Sequence, residues 1–119
     1  MSRLRLMLVE DNALVAMAME DLLSDLGCEV LGPFAGLEAA FAWLDSGAAA
    51  PDAALLDINL GDQTVFPLAA ALAERHIPFA FASGLAVVSD PRFAERTLIR
   101  KPVDAASLAA VVEKLKAAT

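Results

Sequence analysis

At 119 residues the chain is one domain's worth, too short for two independent cores. Hydrophobic residues make up 58% of it, but much of that is alanine, and no uninterrupted apolar run approaches the ~18–20 residues that a membrane span requires. A net charge of −7 repels nucleic-acid phosphates, and the single cysteine, Cys28, permits neither an internal disulfide nor a thiolate metal cage.

The chain opens with a basic and then apolar segment, Met1 to Leu8, like the start of a signal peptide. It runs straight into Glu10-Asp11, which leaves no room for a cleavable apolar region. The expectation is a cytoplasmic protein without a membrane or nucleic-acid partner.

Leu4 to Val9 reads as a first strand, and its near-continuous apolar character suits a parallel sheet covered on both faces. A helix follows, capped by Asp11 or Asn12, with Leu14, Ala18, Leu22 and Leu26 at i, i+4 spacing and a stop at Gly27. Glu29 to Leu31 is a second strand. A second helix runs from about Leu37 to Asp45 with Leu37, Phe41 and Leu44 on one face. Ala53 to Leu56 is the third strand. The next helix starts near Val65, accommodates Pro67 in its first turn, and ends around Arg75. Pro78 to Ala82 and Thr97 to Ile99 are the fourth and fifth strands. Between them Leu85 to Arg96 has no clean period and contains Asp90-Pro91, so a short or irregular fourth helix is expected there. A last helix after Asp104 buries Leu108, Val111, Val112 and Leu115. Alternating strands and helices define an α/β fold with right-handed crossovers.

Ligands of such folds bind at the carboxyl ends of the strands. Strand one ends in Glu10-Asp11, strand three in Asp57, strand four in Ser83-Gly84 and strand five in Lys101-Pro102. Each alone has an ordinary explanation: Asp11 caps a helix, Asp57 enters a polar turn before Gly61-Asp62, and Lys101 is a solvated charge. Together they set three carboxylates, a hydroxyl and an ammonium on one rim. Two carboxylates about 4 Å apart repel by ~4 kcal/mol at an effective dielectric near 20. Three of them against one ammonium call for a cation, and oxygen donors without histidine or thiolate favour Mg²⁺.

The same residues exclude other uses of the fold. A nucleotide-phosphate loop needs glycines and exposed amides after strand one, whereas Glu10-Asp11-Asn12-Ala13 repels phosphate. A Ser-His-Asp triad has no support, since the only histidine, His76, sits at the end of the third helix.

In this order and spacing, Glu10-Asp11, Leu55-Leu56-Asp57, Ser83 and Lys101-Pro102 resemble the receiver domain of bacterial two-component response regulators, over Leu4 to about Ala117. Phe79-Ala80-Phe81-Ala82-Ser83-Gly84 further resembles an alphaproteobacterial subgroup, including single-domain receivers, marked by Phe-Ala-Thr-Gly, with Ser replacing Thr. The resemblance implies one receiver domain over residues 1–119, a flavodoxin-like doubly wound sheet of five parallel strands in the order 2-1-3-4-5, and a role in a phosphorelay. Asp57 would accept a phosphoryl group from a histidine kinase or histidine phosphotransferase. Asp11 and Asp57 would bind Mg²⁺ directly, Asn59 would add its backbone carbonyl, and Glu10 would act through water. Lys101 and Ser83 would each contact a phosphoryl oxygen, and a cis Lys101–Pro102 bond would aim the lysine inward. No enzymatic activity is implied beyond self-phosphotransfer and autodephosphorylation at Asp57. The output would be a switched downstream protein target or a phosphate shuttle, from a monomer or weak dimer.

Two departures bear on that output. The position two before the lysine, usually Tyr or Phe, is Ile99, and the interval from Ser83 to Lys101 is shorter than is common. The alternatives are a receiver fragment of a larger hybrid kinase or regulator, and a non-phosphorylated interaction module. A haloacid-dehalogenase-type phosphatase is disfavoured because Asn59 stands where that chemistry needs a second acid.

Overall fold

The computed structural model describes residues 3–84 and 88–119. Five strands, β1 (Arg5–Val9), β2 (Glu29–Phe34), β3 (Ala53–Asp57), β6 (Phe79–Ser83) and β7 (Leu98–Arg100), form one parallel sheet. Between β3 and β6 a small antiparallel hairpin pairs β4 (Asn59–Leu60) with β5 (Gln63–Thr64). The main sheet runs β2-β1-β3-β6-β7. With the hairpin set aside, this is the expected order 2-1-3-4-5. The helices are α1 (Ala13–Asp25), α2 (Leu37–Leu44), α3 (Phe66–Glu74) and α4 (Ala105–Ala118).

Strand side chains alternate between faces, so each strand feeds two cores. Met7, Val9, Ala54, Leu56, Phe79 and Phe81 pack with Ala40 of α2 and Leu68, Ala69 and Leu72 of α3. Leu6, Leu8, Leu55, Ala80 and Ala82 pack on the other face with Met19 and Leu23 of α1 and Leu108, Val111, Val112 and Leu115 of α4. Each fully buried leucine contributes roughly 1.5–3 kcal/mol.

The structure sharpens three of these readings. The buried stripe of α1 is Ala16, Met19 and Leu23. Leu14 is 79% exposed and Ala18 is also exposed, while Leu22 and Leu26 are half-buried. Of the spaced set, Leu22 and Leu26 pack at the margin of the α1–α4 core, while Leu14 and Ala18 face away from it. Second, β2 continues beyond Leu31 to Phe34. Gly32-Pro33 reads as a breaker, but the strand lies at the sheet edge, where a missing N–H costs nothing. The register shifts between Met7 and Val9. At Gly32, with φ +102°, a Cβ would come within 2.7 Å of the Phe34 nitrogen, so only glycine fits.

Third, the hairpin β4–β5 occupies what reads as a plain polar turn. The segment after β6 matches its expected irregularity: its described part holds a 3₁₀ turn at Pro91–Phe93, capped by Asp90, whose carboxylate accepts the Arg92 N–H at 2.9 Å. Leu85 to Val87, within the expected short fourth helix, lie outside the described residues. Phe93 is buried in a four-ring cluster with Phe66, Phe79 and Phe81, stacked on Phe66 at 6.1 Å. Among the described residues no helix is long and apolar enough to cross a membrane.

Candidate functional site

The first helix is capped by Asn12, whose Oδ1 accepts the N–H groups of Leu14 and Val15. That releases Asp11 from capping and leaves Glu10 and Asp11 as a pair at the carboxyl end of β1. Glu10 is turned inward: its N–H donates to the Phe34 carbonyl at 2.9 Å, and the residue is only 2% exposed. Both Glu10 oxygens are engaged, Oε2 by the Asn12 N–H at 3.0 Å and Oε1 by the Lys101 ammonium.

Asp57 is the last residue of β3, in the middle of the sheet, and is 6% exposed. Its Oδ1 lies 3.3 Å from Lys101 Nζ. Lys101 follows β7, and its N–H donates to the Ser83 carbonyl at 2.8 Å, which ties it to the end of β6. The Lys101–Pro102 bond is cis, as expected. Ser83 is buried at the end of β6. Among the described residues Glu10, Asp57 and Ser83 are the only buried polar or charged ones, so the polar interior consists of residues selected from the sequence.

Asp11 is exposed, and its Oδ2 accepts the N–H of Gly61 at 2.9 Å. Asn59 opens β4, two residues beyond Asp57, and pairs with Thr64. One oxygen from each of Glu10, Asp11 and Asp57 lies within 4.8 Å of the others.

These contacts set the charges. Burial, then the adjacent charge of Glu10, push the Asp57 carboxyl up to about 7, with the Lys101 ammonium acting in the opposite direction. The slight burial of Asp11 raises its carboxyl, but hydrogen bonds led by that from Gly61 outweigh it and hold the group below the ordinary range. Burial alone would lower Lys101; its bonds to Glu10 and Asp57 prevail and raise it, so it is a firm cation. Three acids against one ammonium make an oxygen-rich, negatively charged pocket whose donor chemistry fits a hard divalent ion.

Sequence reasoning found all of these side chains. It missed the Gly61 amide, the direct pairing of Lys101 with Glu10, and Phe93. Gly61-Asp62 was the available signal for the first, since a Gly-Asp pair between short polar segments is a hairpin turn sequence.

No family model and no curated protein sequence matches the chain. Solved structures do. The chain is 39% identical to the BeF3-activated conformation of SdrG from Pseudomonas melonis Fr1, with a TM-score of 0.79 over 97% of this chain and 98% of that one. It is 37% identical to SdrG from Sphingomonas melonis Fr1, with a TM-score of 0.82 over 98% and 99% of the two chains. A CheY-like response regulator receiver domain from Methylobacillus flagellatus shares the fold at 23% identity, with a TM-score of 0.81 over 96% and 99%. The chain belongs to the family of CheY-like response regulator receiver domains. Its fold supports a role in response-regulator signalling, and the cluster of Glu10, Asp11 and Asp57 resembles the family's Mg²⁺ site.

Proposed function

We propose that the chain is a phosphorelay receiver that takes a phosphoryl group on Asp57 from a histidine kinase or a histidine phosphotransferase. The observation that carries this reading is the setting of Asp57: nearly buried at the end of the central strand, 3.3 Å from one fixed ammonium and within reach of two further acids. The BeF3-activated state of the 39%-identical SdrG adds support, because trifluoroberyllate has the shape and charge of a phosphoryl group.

Asp11, Asp57 and the Asn59 backbone carbonyl would hold Mg²⁺, with Glu10, whose oxygens are both engaged, acting through water. When bound, Mg²⁺ neutralises charge on the transferring group and on the acids around it. The Asp57 oxygen attacks phosphorus, the P–N bond to the donor imidazole breaks, and the imidazole leaves with the electron pair. Lys101 then turns from its carboxylates to one phosphoryl oxygen, and the Ser83 hydroxyl donates to another. Those contacts exist only with the phosphoryl group present, so they can bias the loops after β6 and β7 between two arrangements. The output is binding of a downstream protein or onward transfer of the group, with no reaction on any other substrate.

The exposed side of α1 is a candidate docking face for the donor. Leu14 and Met17 are 79% and 60% exposed there. Beside them Val15, Met19, Leu22, Pro102 and Val103 line an apolar groove of about 410 Å³ that also reaches Lys101. An exposed apolar face leading to Lys101 suits docking of the donor.

The test is borohydride trapping after incubation with Mg²⁺ and acetyl phosphate or a phosphorylated histidine donor. An acyl phosphate on Asp57 is reduced to homoserine, which peptide mass spectrometry locates. Homoserine at position 57 alone is expected; homoserine at another acid, or none, overturns the reading.

A further inference from the structure

We propose that the backbone N–H of Gly61, at the tip of the β4–β5 hairpin, positions Asp11 as a one-oxygen metal ligand and thereby favours Mg²⁺ over Ca²⁺. The inference rests on the Mg²⁺ reading above and concerns a group that takes no direct part in it.

Asp11 stands on an exposed loop, where an unrestrained carboxylate samples several rotamers and can offer one oxygen or two. The Gly61 N–H takes Oδ2 at 2.9 Å from the far side of the pocket, fifty residues along the chain. Its donor is itself fixed. Leu60 is 5% exposed and packs in the core with Val65 and Phe66. Asn59 pairs with Thr64 and Leu60 with Gln63, and the Val65 N–H closes the base on the Ile58 carbonyl at 2.8 Å. Gly61 has φ +66°, at the first of the two turn residues, where primed hairpin turns place glycine.

The neighbouring acids are restricted in the same way. Lys101 engages Oδ1 of Asp57, and both oxygens of Glu10 are taken. Asp11 and Asp57 are thus each left with a second oxygen outside these bonds. A donor set of single carboxylate oxygens, completed by water, suits the six-coordinate Mg²⁺ ion. Ca²⁺ takes six to eight oxygens and gains from bidentate carboxylates. Freeing Oδ2 of Asp11 would remove that disadvantage.

The first measurement is amide exchange by NMR on the metal-free protein. The Gly61 amide exchanges slowly, and Asp11→Ala accelerates it about tenfold or more, as loss of a bond to an ionised acceptor requires. Fast exchange in the wild type, or no change in the variant, overturns the proposal. The second replaces the Leu60–Gly61 amide by an ester in the full chain through semisynthesis, removing the N–H alone. Mg²⁺ binding weakens about tenfold while Ca²⁺ binding changes little. Gly61→Asn keeps the N–H and tolerates positive φ, so it retains the wild-type ratio of the two affinities. An ester form that loses both ions equally, or neither, overturns the inference and leaves the Mg²⁺ site standing. A wild-type protein that binds no Mg²⁺ removes both.

Discussion

Asp57 holds its place at a cost that pH should reveal. Burial and the Glu10 charge move its carboxyl from the ordinary 3.8 to about 7, so between those values the folded protein keeps a proton that the unfolded chain has released. Stability of the metal-free protein therefore falls as pH rises through this window, and levels off above it. The lowered groups Asp11, Asp90 and Asp104 act in the opposite sense, and only below the ordinary carboxylate range. Asp57→Asn should abolish the slope and raise stability at pH 8 by on the order of 2 kcal/mol, read by thermal or urea unfolding in chelator. Curves for the two proteins that stay parallel from pH 4 to 8 would contradict this. The two members of the acid pair should also separate. If Asp11 is a direct ligand and Glu10 acts through water, as proposed, Asp11→Asn should weaken Mg²⁺ binding about tenfold or more and Glu10→Gln distinctly less. Equal losses in a fluorescence or NMR titration would place both acids in the same role.

At the scale of elements, legibility followed geometry. Glu10, Asp57, Ser83 and Lys101 could be located because strand ends are marked by where apolar runs stop. The partners of Asp11 and Lys101 could not, since they come from chain segments far apart in sequence, and a backbone N–H such as that of Gly61 has no side-chain signature. Which part of the α1 apolar spacing is buried was not legible for a related reason. Leucines at i, i+4 mark an apolar stripe, and nothing local says whether this sheet or another molecule covers it. That distinction is testable. Leu14→Glu and Met17→Glu should leave stability within about 0.5 kcal/mol of wild type. Both should slow transfer from a phosphorylated protein donor about tenfold, as loss of an apolar interface anchor does, without changing phosphorylation by acetyl phosphate. Equal slowing with both donors would move the effect from docking to the pocket. The short fourth connection offers another test. Phe93 anchors it to Phe66, Phe79 and Phe81, and Arg96 lies 4.3 Å above the Phe79 ring. Phe93→Ala should cost about 3 kcal/mol in urea unfolding; a loss below 1 kcal/mol would mean that the ring cluster does not hold this segment.

For the molecule as a whole, the sheet separates two tasks. Its α2–α3 face carries the aromatic core, including Phe93. Its α1–α4 face buries Ile99, at 5% exposure, where the family usually has an aromatic ring. With Ile99 already packed against α4, a ring turning inward at that position is not available to carry the signal. On the phosphorelay reading, the response to phosphorylation would instead start at Ser83 and Lys101 themselves, which the Lys101 N–H ties together through the Ser83 carbonyl. All of this depends on Asp57 being the acceptor, so the most direct measurement is intact-mass analysis of the wild type and Asp57→Asn after incubation with Mg²⁺ and acetyl phosphate. One labile phosphoryl adduct on the wild type, lost in chelator and absent from Asp57→Asn, is the expected result. An adduct that survives the substitution, or a wild type that takes up none, would contradict the account.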